Sequence, residues 1–150
     1  DKPSYSIGDV AIDPSNPGVI WVGTGENVSG RHVAWGDGVY RSLNGGATWD
    51  HMGLPHSEHI GKILIDPRDS QRVLVAAEGP LWSSGGDRGV YRSEDGGHTW
   101  ERTLSVSDDT GVTDIEFHPT NPDIVYAATY QRRRKTWALL AGGPESGFYK

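Results

Sequence analysis

Three stretches of the chain repeat one order of apolar and polar positions. They are IGDVAIDPSNPGVIWVGT from Ile7 to Thr24, IGKILIDPRDSQRVLVAA from Ile60 to Ala77, and VTDIEFHPTNPDIVYAAT from Val112 to Thr129. In each, a short apolar run opens the unit: Ile7, Val10 and Ile12; Ile60, Ile63 and Ile65; Val112, Ile115 and Phe117. Such runs, bounded by turn residues, read as strands. Asp13-Pro14, Asp66-Pro67 and His118-Pro119 end them, because Pro cannot donate to a ladder. A second apolar strand follows at Val19 to Val22, Val73 to Val75 and Ile124 to Ala127. No stretch carries the spacing of an amphipathic helix longer than two turns.

A second motif interleaves with the first. GVYR occurs at Gly38 to Arg41 and Gly89 to Arg92, and is followed by SLNGGATW (Ser42 to Trp49) and SEDGGHTW (Ser93 to Trp100). A third lead-in, GFYK, occupies Gly147 to Lys150. The Tyr-Arg and Thr-Trp ends favour strands. Between them Asn44-Gly45-Gly46 or Asp95-Gly96-Gly97 makes the reversal, with Asn or Asp bonding nearby amides and Gly supplying positive φ. On this reading Thr48 and Thr99 begin the return strand and Trp49 and Trp100 cover the turn. Four antiparallel strands then recur about every 52 residues, the signature of propeller blades. The expected fold is all-β: a propeller segment with blades at about 6–55, 56–107 and 108–150, the third incomplete. The rest of the propeller is expected on a longer natural chain or on partner copies, since an open wedge leaves sheet faces and edges uncovered. The Asp-Lys-Pro start without Met fits a processed or excised piece.

Composition changes this picture little. The 150 residues include 21 Gly and 9 Pro, yet six Trp and six Tyr argue against disorder. A net charge of −6 disfavours general nucleic-acid binding. There is no Cys and no apolar run long enough to span a membrane, and no stretch of these residues reads as a signal peptide.

SEDGGHTW matches the Asp-box, or BNR-repeat, signature S-x-D-x-G-x-T-W, and SLNGGATW departs from it only at Asn44. The structural residues of the two boxes are Ser42, Asn44, Gly46, Thr48 and Trp49, and Ser93, Asp95, Gly97, Thr99 and Trp100. Together with WVGTGE, GDGVYRS, SEHIGKILIDPR, DTGVTDIEFHP and ATYQRRR, they resemble bacterial sortilin-like, or glycosyl-hydrolase-like, propeller proteins over essentially the whole chain. The resemblance implies the fold; Asp boxes serve enzymes and non-enzymes alike. It also implies that the loops between second and third strands share a face with the blade-to-blade connections, opposite the boxes, and that this face holds the site.

The irregular loops are then Gly25 to Asp37, Glu78 to Arg88 and Tyr130 to Ser146. The candidate binding residues on them are Glu26, Arg31, His32, Trp35, Trp82, Arg88, Arg132, Arg133 and Trp137. Aromatic rings stack on sugars, and Arg pairs with carboxylates through two bonds. If the site hydrolyses glycosides, Glu26, Glu58, Asp87 and Asp108 are the candidate carboxylates, one of a pair lying about 5 Å or roughly 6.5–9.5 Å apart. A sialidase would need an Arg triad gathered from separate blades, whereas Arg132 to Lys135 is contiguous. His56, Glu58 and His59 match no zinc spacing, and Asp108-Asp109 supplies too few carboxylates to define a calcium site, so no metal or other cofactor is expected. The leading expectation is a binding or scaffold propeller, secreted, periplasmic or on the cell surface, that recognises a protein, peptide or glycan. The alternatives are a glycoside hydrolase acting on a polysaccharide and a structural surface component.

Overall fold

The computed structural model describes residues 6–27 and 33–150, and every regular element within them is a strand. The first sheet contains β1 (Ile7–Ile12), β2 (Ile20–Thr24), β3 (Val39–Ser42) and β4 (Asp50–His51), paired antiparallel in chain order. The second contains β5 (Ile60–Asp66), β6 (Asp69–Ala77), β7 (Gly89–Ser93) and β8 (Glu101–Leu104) in the same order. In the third, β9 (Thr110–His118) pairs with β10 (Asn121–Lys135), which also pairs with β11 (Ala138–Ala141) and β12 (Gly147–Tyr149). The first two are the expected four-stranded blades and the third has three strands of that pattern, β9, β10 and β12; the Pro-containing junctions end β1, β5 and β9 as anticipated.

The strand period of two builds the core. On β6, Val73, Val75 and Ala77 face the first blade and join Trp21, Val39, Ile60 and Ile63; Leu74 and Ala76 face the third and join Val112, Ile115 and Ala127. The middle blade is thus buried on both faces. The outer ones are not: Ile7, Val10 and Ile12 on β1 and Phe148 on β12 are exposed.

Two expectations are corrected. Return strands begin after Trp49 and Trp100, because the amides of Thr48 and Thr99 donate to Asn44 Oδ1 and Asp95 Oδ1 (both 2.9 Å) and so belong to the turn. And Tyr130 to Ser146 is not an irregular loop throughout. β10 continues to Lys135, turns at Thr136-Trp137 and returns as β11, pairing Arg132 with Ala141, Arg133 with Leu140, Arg134 with Leu139 and Lys135 with Ala138. This hairpin arm extends past the four-strand pattern until Gly142, at φ +73°, breaks it.

Candidate functional site

Three loops converge on one face. Trp35–Asp37 comes from the β2–β3 loop, Pro55–Glu58 from the connection between the first two blades, and Pro80–Asp87 from the β6–β7 loop; together they wall a cleft of about 830 Å³. Backbone and side-chain bonds fix each wall. The Asp37 amide donates to Thr24 Oγ1 (2.9 Å), and Asp37 Oδ2 accepts from Tyr40 Oη (2.7 Å). The His56 amide donates to Asp87 Oδ2 (2.9 Å) while the Asp87 amide donates to the His56 carbonyl (3.0 Å), clasping the connection to the β6–β7 loop.

Glu58 is held through its backbone. Its φ is +55°, a left-handed conformation unusual for a residue with a side chain. Its carbonyl accepts from the Gly36 amide (2.7 Å), and Gly25 lies so close beneath that a Cβ there would overlap the Glu58 carbonyl oxygen. Burial pushes the half-buried Glu58 carboxyl up from its ordinary pKa, while the Leu81 amide and Arg88 pull against that. Strained backbone around a perturbed carboxyl in a cleft is a physical pointer to function.

Beneath the cleft lies a charged seam between the second and third blades. Arg88, a candidate contact residue, is buried there: its guanidinium donates to the carbonyls of Glu78 (2.7 Å), Gly85 (2.9 Å), Ser83 (3.0 Å) and Pro80. It shapes the β6–β7 wall from behind. Arg132 is likewise buried, 3.0 Å from Glu78 Oε2. Burial still dominates at Glu78 and pushes its carboxyl up to about 7; Arg132 and Arg88 recover only part of the lost hydration. His59 moves the other way, to about 4, because burial and then Arg132 disfavour its cation, against a bond to the Glu26 backbone.

Strand alternation sorts the basic run. Arg133 turns towards the β6–β7 loop and pairs with Asp109 (3.0 Å) and Ser84 Oγ (2.6 Å). Arg134 lies over the Trp82 ring, 5.8 Å from its centroid. Lys135 is exposed near the arm's tip.

Of the other candidates, Trp35, Trp82 and Trp137 stand open to solvent, at 71, 51 and 82% exposure. Trp35, Glu58 and Asp87 share the cleft. Glu26 does not join them: its Oε2 accepts the Ala34 amide (3.3 Å) and closes its own loop. Asp108 is exposed, and its carbonyl accepts the Gly85 amide (2.8 Å). Arg31 and His32 lie outside the described residues. Sequence reasoning missed Asp37, Ser84 and Glu145. Glu145 takes bonds from Ser107 Oγ, Thr110 Oγ1 (both 2.5 Å) and Gln131 Nε2 (3.0 Å), tying the arm's base to the second connection. No local motif marks it; its partners come from two other segments. Among the described residues, no three His, Asp or Glu side chains converge as a metal site would require.

The family model described as Sortilin, neurotensin receptor 3 (Sortilin-Vps10) matches residues 37–139. No curated protein matches the sequence. Solved structures similar to this chain include an ancestral GH74 enzyme (20% identity, TM-score 0.63, 87% of this chain and 17% of that one). The GH74 enzyme of Niastella koreensis matches at 21% identity and TM-score 0.55 over 81% of this chain and 17% of its own. The GH74 xyloglucanase of Xanthomonas campestris matches at 17% identity and TM-score 0.56 over 92% and 19%. These likenesses carry the fold, and the chain spans less than a fifth of each neighbour.

Proposed function

The chain belongs to the Sortilin-Vps10 family, and from that footing we propose that it is part of a recognition propeller that takes a glycan or an extended peptide into the cleft between its first two blades. The observation that carries this reading is the cleft itself: three loops from two blades enclose about 830 Å³, with Trp35 open at the rim and Asp37, Glu58 and Asp87 along the walls. A purely structural component has no need to hold such a space open or to strain Glu58 beside it. We take Ser42–Trp49 and Ser93–Trp100 as Asp boxes, whose internal bonds fit that role. Further blades, on the same longer chain or on partner copies, would cover the exposed apolar residues of β1 and β12. A secreted, periplasmic or surface location suits both the family and the ligand class.

The test is retention of the protein on immobilised oligosaccharides and on a display library of short peptides, compared with Trp35→Ala and Glu58→Gln. Loss of a retained ligand in both variants supports the cleft. Retention undiminished in both, or no retention at all, overturns it. A second reading, a glycoside hydrolase, is favoured by one observation: burial raises the Glu58 carboxyl's pKa in the cleft, the direction a general acid needs. Release of reducing ends from xyloglucan that Glu58→Gln abolishes would establish it; no release from the assembled protein removes it.

A further inference from the structure

We infer that the hairpin arm and the β6–β7 loop form a second binding groove, for a carboxylate-bearing sugar chain, beyond the cleft described above. The groove holds about 520 Å³ between Trp82 on one side and Arg134, Lys135, Trp137 and Leu139 of the arm on the other. It shares no lining residue with the cleft.

The cations identify the charge of the occupant. Four basic residues stand in sequence, and their place along the arm divides them. Arg132 and Arg133 meet carboxylates of their own chain, Glu78 and Asp109. Among the described residues Arg134 and Lys135 meet none, although the chain as a whole carries a net charge of −6. Arg134 is also positioned: it rests over the Trp82 ring, 5.8 Å from its centroid. A guanidinium resting over an aromatic ring keeps N–H groups free to form a fork, the geometry that takes a carboxylate through two bonds.

The tryptophans identify the body of the occupant. Trp137 stands largely in water on one side of these cations, and Trp82, half exposed, carries Arg134 on the other. Ring faces beside cations suit a chain of pyranose rings bearing acid groups; an acidic peptide would satisfy the cations and leave the rings unused. The far side of the arm carries a second depression of about 320 Å³ that shares Lys135, Trp137 and Ala138 with the groove and Ser84 with the cleft. The two depressions thus adjoin around the arm's tip.

The test is tryptophan-fluorescence titration of the protein with hexagalacturonate, cellohexaose and hexaglutamate, at low and moderate salt. Hexagalacturonate is expected to bind best, more weakly at higher salt. Arg134→Gln and Trp137→Ala should each weaken it about tenfold, and Lys135→Gln less. Because Arg134→Gln also disturbs Trp82, Trp137→Ala, at the exposed tip, is the variant that decides. No binding of hexagalacturonate, equal binding of cellohexaose, equal binding of hexaglutamate, or unchanged affinity in Trp137→Ala each overturns the proposal. Binding lost in Trp35→Ala but kept in Trp137→Ala assigns the sugar to the cleft and also overturns it, while leaving the cleft reading intact.

Discussion

The turns at Ser42–Trp49 and Ser93–Trp100 are nearly the same inside and quite different outside. In both, the leading Ser Oγ accepts the amide two residues on (3.2 Å) and the Gly amide four residues on (2.8 and 2.7 Å). In both, Oδ1 of Asn44 or Asp95 accepts the following Thr amide. One bond reverses direction. Thr99 Oγ1 donates to Asp95 Oδ2 (2.7 Å), whereas Asn44 Nδ2 donates to Thr48 Oγ1 (2.9 Å). A hydroxyl can do either, which is why Asn serves where the motif has Asp. Outside, the second turn lies on the first blade. Trp100 meets Trp21 edge to face with centroids 6.3 Å apart and donates to the Met52 carbonyl (2.6 Å); Arg41 Nη1 donates to the Gly96 carbonyl (2.5 Å). Around the first turn a Cβ on Gly45 would meet nothing, and Trp49 has no counterpart of the Trp100 bond among the described residues. The turn is thus encoded locally, and its tertiary role is assigned by the neighbouring blade.

The largest effect should come from glycine. Gly46 and Gly97 share φ +90°, so alanine strains both by roughly 1–3 kcal/mol. Only at Gly97 would the new methyl overlap the ring of Trp21, which is 1% exposed and has no room to yield. Urea unfolding should show Gly97→Ala more destabilised than Gly46→Ala by about 2 kcal/mol; equal losses would break the comparison. Next, Trp100→Phe removes the bond to Met52 and should cost about 1–2 kcal/mol, against less than about 0.5 kcal/mol for Trp49→Phe. Asp95→Ala and Asn44→Ala should then lower Tm by similar amounts, about 4 °C each, because the bonds they delete are internal to each turn.

The smallest and sharpest test exchanges the acids. The Thr99 hydroxyl, then the Thr99 amide, hold Asp95 well below its ordinary pKa of 3.8. Its folded-state pKa is depressed, so its contribution is complete above pH 3.8 and fades as pH falls below that. Asp95→Asn should cost little at neutral pH and remove this acid sensitivity, and Asn44→Asp should add it. Thermal melts from pH 7 down to pH 2.5 read both; parallel pH profiles for wild type and Asp95→Asn would show that the carboxylate is not the sensitive group.

The blades were legible because alternation of apolar residues and paired glycines are local signals. The arm was not. Arg132 to Lys135 has the backbone period of a strand without the contrast of apolar and polar side chains that displays one, and Gly142-Gly143-Pro144 looks like loop. Its neighbours in space were needed to separate Arg132 and Arg133, engaged by Glu78 and Asp109, from Arg134 and Lys135 in the groove. The cleft was half legible: Trp35, Glu58 and Asp87 stood out, but their meeting depends on three loops far apart in sequence. Glu78 and Arg88 looked like loop surface because nothing in a single segment announces that the next blade will bury it.

The seam beneath the cleft has a consequence for proton balance. Folding leaves Glu78 holding a proton up to about pH 7 that its ordinary pKa of 4.5 would release, and leaves His59 refusing, down to about pH 4, one that it would ordinarily take at 6.5. The first makes stability fall as pH rises from 4.5 to about 7; the second makes it fall as pH drops from 6.5 to about 4. Where these windows overlap, the two proton differences between folded and unfolded chain have opposite sign and offset each other. The seam between the second and third blades therefore responds less to mild acid than either of its two groups would alone, because they shift in opposite directions.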